Sequence, residues 1–541
     1  MKHNFKKLVC MALPLCMMLD MLPGSATEVR AAAQIPISSA QDFVNIENNP
    51  SGSYYLTKDI TLPKEMQTLF PYDLFGEKPK FTGTLDGRGH KLKGFTYSGK
   101  GSGKYWEPVC LIGAASKATF KNLSLTGVNI NINGGGSDAA VSTLVYASGG
   151  CKFDKVNISG NITVKGNCTS KAGAHYEVNG LSGGGTFTNC SSSLKIKLSA
   201  GMTNQVYISG LAGGAASLKN CSFKGSITAD AKAAYERIET DHGVQSESGD
   251  FLAAGLCKSM SGTVTGCTNS GNIKLSVNKG SVDKLREVAN EVIVAYGITG
   301  GKAKTMTSCG NSGTIQVSAP KMKSAVKAYG LAEEAGKMKK CWNKGSISVT
   351  GGTSVGAAGL CQGIAYADEC YNKGKLSAKG TNTSQSCYVC ELNEYPNEGS
   401  VAGGLCIDVS QMNNCYNVGS VTVKGRGVAA GLSCAVGAFT EVSKCNYSIG
   451  TITAKKRNSA ALYYRISTWE AIMHGKPIVK DSYYKGCKTA YCLGPSPTNK
   501  GVPRVKKISS VTRKNCPKLS SKYWTYSSKY KRLILKNNKE R

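Results

Sequence analysis

A parallel β-helix is the fold this 541-residue sequence predicts, and three observations carry the prediction. One phrase recurs, as Cys221-Ser-Phe-Lys-Gly225-Ser-Ile, Cys267-Thr-Asn-Ser-Gly271-Asn-Ile, Cys309-Gly-Asn-Ser-Gly313-Thr-Ile, Cys341-Trp-Asn-Lys-Gly345-Ser-Ile, Cys370-Tyr-Asn-Lys-Gly374-Lys-Leu and Cys415-Tyr-Asn-Val-Gly419-Ser-Val. A Gly-Leu or Gly-Ile precedes each cysteine at a similar distance, from Gly180-Leu181 to Gly431-Leu432. After each glycine the text alternates with period two, as in Val421-Thr422-Val423. Self-similarity at roughly 30 to 45 residues marks a solenoid, and period-two runs with β-branched residues mark strands. One such unit cannot bury its apolar side alone, so neighbours stack and set equivalent residues about 4.8 Å apart. The glycine before each run is expected to supply the backbone freedom of a sharp corner.

Elements follow in chain order. Residues 1–33 read as an export signal: Lys2, Lys6 and Lys7 precede an apolar run from Leu8 to Leu22, then small residues to Ala33. Asp20 makes that run too weak for a spanning helix, and Cys16 lacks the small residues that precede a lipidated cysteine. No second apolar stretch of about 18 residues occurs, so no transmembrane segment is expected in the mature chain.

Residues 34–105 are expected to cap the open end of the helix, since bare solenoid ends recruit other chains. A loop and short helix start span 35–43, a strand covers 52–62, and a proline-containing loop covers 63–79. Phe81 to Leu92 reads as two strands about a tight Asp86-Gly87 turn. The repeats fill 106–488, and Phe120 and Phe153 are expected to take the place that cysteine holds later. Residues 231–251, 281–293 and 381–400 read as insertions, the second a short helix capped by Ser281 and the third holding Cys387 and Cys390. Residues 489–541 form a basic tail. Trp524 and Leu533-Ile534-Leu535 within it are expected to seal the last rung.

The repeat cysteines lie too far apart for a zinc pattern, with no histidine nearby. They read as buried packing, with an occasional disulfide between neighbours. His3, His90, His175, His242 and His474 are isolated, no His-Glu-x-x-His occurs, and Asp368-Glu369 has no acidic counterpart in other repeats. Gly180-Leu-Ser182-Gly-Gly184 and Gly352-Thr-Ser354-Val-Gly356 match the nucleophile-elbow pattern without its strand-to-helix setting. These features weigh against catalysis and leave the reading with no catalytic, cofactor or metal site.

Charge is the remaining signal. Sixty-seven Lys and Arg stand against 34 Asp and Glu, a net +33. Such an excess draws polyanions; lysines solvating the outer side of each rung are the plainer reading. Residues 501–541 hold thirteen Lys or Arg against Glu540, with Tyr523, Trp524, Tyr526 and Tyr530 interleaved. Arg504, Lys506, Lys507, Arg513, Lys514, Lys531 and Arg532 are the candidate polyanion-binding residues. A closing cap is the favoured reading of the same segment, and a cap can still bind.

The Asn179-Gly-Leu-Ser-Gly183 and Ser209-Gly-Leu-Ala-Gly213 pieces, with the Cys-x-Asn-x-Gly-x-Ile tails, resemble the GLUG-motif family of bacterial extracellular repeat proteins. Gly52 to Ile60 and Gly83 to His90 look like the strands that introduce such repeats. The resemblance implies a right-handed parallel β-helix, export, and a surface or adhesive role. The expectation is a secreted, monomeric, non-catalytic binder of anionic polysaccharide, cell-wall polymer or host glycan, with nucleic acid not expected. A polysaccharide-degrading lyase or glycosidase is the alternative.

Overall fold

Each repeat buries one side of its alternating strands, and the chain answers by coiling so that every strand lies in register on its predecessor. The computed structural model describes residues 33–100, 107–135, 138–169, 173–237, 250–280, 286–288, 292–322, 324–352, 354–381, 399–436, 442–454, 458–466, 479–492 and 503–540. Forty-five strands among them join through parallel pairing, from 34–37 at one end to 505–507 at the other. One coil shows the plan. Asp250–Ala254 runs into Gly255-Leu256, Cys257–Thr265 leads to Cys267, and Thr268–Asn269 and Asn272–Lys279 complete the turn. Each piece pairs with its counterparts in the coils before and after.

Stacking in register turns repeated letters into columns. Ile130, Ile162, Ile196, Ile227, Ile273, Ile315, Ile347, Leu376 and Val421 face one another rung to rung. Leu181 to Leu432 of the Gly-Leu pieces form a second column, fully buried. Cys221, Cys267, Cys309, Cys341, Cys370 and Cys415 form a third, buried as expected. The described cysteines are free thiols. Cysteine does more than fill space here. The Cys267 and Cys309 thiols donate to the carbonyls of Thr265 and Thr307, and Cys221 N donates to Cys267 Sγ at 3.4 Å.

The asparagine of the phrase makes the fourth column. Asn269, Asn311, Asn343, Asn372 and Asn417 have no exposed surface. The Nδ2 of each of the first four donates to the Oδ1 of the next rung at 2.7–2.8 Å. In all five an amide hydrogen goes to the glycine carbonyl two residues on, at 2.9–3.1 Å. A buried amide with both donors and its oxygen satisfied adds stability; a half-satisfied one costs it.

Several expectations are corrected. The glycines of the phrase do not turn corners through a left-handed backbone. A Cβ on Gly313, Gly345, Gly374 or Gly419 would lie 1.9–2.0 Å from the glycine oxygen of the preceding rung. Close approach is their reason. The left-handed corner falls instead on the residue before each cysteine, with φ of 50–55° at Asn220, Ser308, Lys340, Glu369 and Asn414. Phe120 and Phe153 do not take the cysteine place either. They stack with Phe187 at 4.8–5.1 Å, three positions earlier, while Leu123 and Val156 stand where later rungs have cysteine.

Asp86-Gly87 does not join a hairpin. Residues 84–86 and 91–93 pair in parallel with other rungs, and the turn between them is a coil corner. In the stretch read as a helix from Ser281, Arg286–Val288 is a strand parallel to Tyr235–Arg237. Residues 1–32, Cys387 and Cys390 lie outside the described residues.

At the first end the helix Ala40–Val44, capped by Ser39, places Phe43 in the interior. Among the described residues no helix is long and apolar enough to cross a membrane.

Replacing Asn343 by Ala strips partners from Asn311, Asn372 and the Gly345 carbonyl at once. At about 1–3 kcal/mol for each buried group left unpaired, the loss expected is about 3 kcal/mol or more. The exposed Asn278→Ala should shift stability by less than about 0.5 kcal/mol. Chemical denaturation of both variants gives the comparison.

Candidate functional site

The position before the column asparagine faces outward, and toward the end of the chain it becomes aromatic: Trp342, Tyr371 and Tyr416, with Tyr447 and Tyr483 at the equivalent place in later rungs, stand in one column. The rings of Tyr371, Tyr416 and Tyr447 stack at 4.9–5.1 Å, with interplanar angles of 9° and 14°. Lys506 continues the column in the final rung.

Beyond that rung the chain turns back along the flank. The antiparallel pair Trp524–Ser527 and Arg532–Leu535 lies over the tyrosine column. Trp524, without exposed surface, sits 5.8 Å from the Tyr416 ring and 5.3 Å from that of Tyr447. Leu519, Leu533 and Leu535 fill the remaining space. The tail therefore does not seal the last rung with Trp524 and Leu533-Ile534-Leu535. The final rung is 505–507, and those residues pack sideways on earlier rungs.

Polar contacts lock it there. The hydroxyl of Tyr447 donates to Leu533 O at 2.8 Å, and Lys518 N donates to the Tyr483 oxygen at 3.2 Å. Asn538 reaches Glu369 O at 2.8 Å and Cys341 O at 3.3 Å, and Asn537 donates to the Glu369 carboxylate at 3.1 Å. Glu540, its side chain with no exposed surface, accepts from Tyr416 at 2.6 Å, pairs with Lys373 at 2.9 Å and binds Arg532. Burial, with Tyr447 and Glu540 close by, pushes the Tyr416 hydroxyl well above its usual range and keeps it a donor.

This placement sorts the candidate residues. Arg504, Lys506, Lys507, Lys514 and Lys531 are exposed. Arg513 is exposed as a residue, but its guanidinium donates to the carbonyls of Leu519 and Trp524 and holds the tail's own turn. Arg532 lies under Tyr530, 5.0 Å from its centroid, and serves Glu540. Lys518, Lys522, Lys529, Lys536 and Lys539 join the exposed set. The acid that the tail carries, Glu540, is buried and doubly paired, so it offsets none of the surface charge. Sequence reasoning missed Glu540, Lys373, Glu369 and Asn538 as the clasp. A lone acid in a run of thirteen cations was the available signal.

A second polar cluster gathers His175, read as isolated, with Glu177, Tyr207, Asp250 and Lys258 on neighbouring rungs. Lys258 Nζ lies 3.7 Å from Glu177 Oε1 and 4.2 Å from the Tyr207 centroid. Asn179 donates to the same Glu177 oxygen at 3.0 Å, and Tyr207 donates to Asp250 at 3.4 Å. Burial pulls the His175 pKa down against the opposing pull of Asp138 and Glu177. The carboxylate is occupied by its own neighbours, an arrangement that orders the face. Among the described residues no group of three or more His, Cys, Asp or Glu is placed to hold a metal ion.

No family model, no curated protein and no solved structure matches the chain.

Glu540→Gln leaves the Lys373 and Arg532 charges without their counter-ion at a buried site, a change that costs about 3–5 kcal/mol when a buried pair is broken. The tail is expected to detach while the coils persist. Limited proteolysis should then cut after residue 507 far faster than in the parent protein, with N-terminal fragments that retain the final rung 505–507 accumulating.

Proposed function

We propose that this protein is an exported, non-catalytic surface or matrix solenoid that holds anionic polymers electrostatically on its C-terminal flank. One observation carries the reading: Lys506, Lys507, Lys514 and Lys531 are exposed on the tail while its acid, Glu540, is buried and neutralised. Among the described residues the tail exposes no acid, so its surface charge is all positive. Charges within a Debye length of about 8 Å at physiological salt add their potentials, though each alone contributes little. The ligand class is an acidic polysaccharide, a cell-wall polymer or an anionic host glycan. The resemblance to GLUG-motif proteins supports export and a surface role on the same footing, as a proposal. A polysaccharide-degrading enzyme is the second reading, favoured by the cluster at His175 and Glu177. The pairing of Glu177 with Lys258 puts binding ahead of it.

Salt elution from a heparin or teichoic-acid column tests this. The variant with Lys506, Lys507, Lys514 and Lys531 all changed to Gln should elute at clearly lower salt than the parent. Changing Lys58, Lys117, Lys152 and Lys195, exposed on distant rungs, removes the same charge and should lower elution far less. An equal drop in both would assign retention to net charge and remove the flank from the mechanism.

A further inference from the structure

At the opposite end of the coil the 63–79 loop builds a cleft of about 990 Å³, walled by residues 65–68, 71–75, 78, 95, 97–98 and 107–110. Its base is fixed. Leu69 N donates to Leu111 O at 2.9 Å, Gly113 N returns a bond to Leu69 O at 2.8 Å, and Phe70 N donates to Glu47 at 2.7 Å. The tip is fixed too, because the Asp73 carboxylate accepts from the backbone of Phe75, Glu77 and Lys78. Those bonds hold the Asp73 carboxyl below its ordinary pKa, so the group stays ionised. This rigid turn lifts Leu74 and Phe75 into solvent, 63% and 85% exposed.

Exposed apolar groups beside a shaped cleft mark a contact surface. Among the described residues one other large hydrophobic side chain is comparably exposed, Tyr526 at 53%. It sits on the tail among the exposed Lys522, Lys529 and Lys531. Charge completes the match. Within the cleft lining Glu65, Asp73 and Glu107 outnumber Lys78, while Lys64 and Lys80 stand exposed at the ends of the same loop. The column from Tyr97 through Ile130 to Val421 puts nine rung steps between cleft and tail, roughly 43 Å at about 4.8 Å each. Two copies can therefore bring the surfaces together where one cannot.

We propose that copies of this chain associate head to tail, the 65–78 cleft of one receiving Tyr526 and its flanking lysines from the next. Such a contact is heterologous, so it propagates into open chains or closes as a ring. It replaces the expectation of a monomer. The cleft holds none of the residues proposed to bind polymer, while the tail side shares Lys531 with that reading, so substitutions in the cleft separate the two.

Sedimentation velocity on the full-length protein tests the proposal. The parent should gain mass with concentration and lose it as salt rises. Leu74→Ser/Phe75→Ser and Tyr526→Ser, all at exposed positions, should each stay monomeric. Mixed, the two variants should form a heterodimer and nothing larger, because one retains an intact tail and the other an intact cleft. A parent that is monomeric at every concentration hands the cleft to a different occupant and overturns the proposal. Association that survives either variant, or a mixture that stays monomeric, overturns it as well.

Discussion

The buried amide column is the interaction on which the rest of this structure depends. Parallel stacking in register forces every inward residue to face its own kind, and most polar side chains fail that test. A carboxylate would meet a carboxylate. An amide carries donors and acceptors at once, so Asn269, Asn311, Asn343, Asn372 and Asn417 bond along the column without a mismatch. Their second hydrogens hold the Gly-x-Ile turn that follows. The glycines in that turn then meet rung on rung so closely that any Cβ would strike a carbonyl. Cysteine, asparagine and glycine thus form one device: a thiol caps the corner, an amide clamps it, and a bare α-carbon lets rungs approach.

The last repeat shows how strict this register is. Cys445-Asn-Tyr-Ser-Ile-Gly450 carries one residue more than its relatives. The extra residue moves Asn446 into the cysteine place, where its Oδ1 accepts from Cys415 N at 2.8 Å, and Tyr447 stays in step with Tyr416. Cys445 takes the left-handed corner instead, with φ of 60° and partial exposure. The insertion is absorbed at one corner, and the columns continue.

Period and alternation made the parallel β-helix legible before any coordinate, because they are consequences of stacking. Reasons within the phrase were less legible. Close approach and backbone freedom both call for glycine, and only the φ values tell them apart. Asp-Gly suits a hairpin turn and a coil corner alike, so Asp86-Gly87 was misread. The Phe120 column was displaced by three positions because an aromatic and a cysteine are both apolar letters. The tail was least legible. Nothing local to Trp524 says that its partners are Tyr416 and Tyr447, about a hundred residues upstream, and the outward tyrosines read simply as strand residues. The exposed lysines were legible as charge, whereas the commitment of Arg513 and Arg532 to the tail's own structure was not.

Register is the central claim, and thiol accessibility reads it directly. Native protein treated with a maleimide and mapped by peptide mass spectrometry should label Cys445 while Cys267, Cys309, Cys341, Cys370 and Cys415 stay unmodified until denaturant is added. Labelling of those column cysteines in native protein at the rate of Cys445 would contradict the stacking described for these coils.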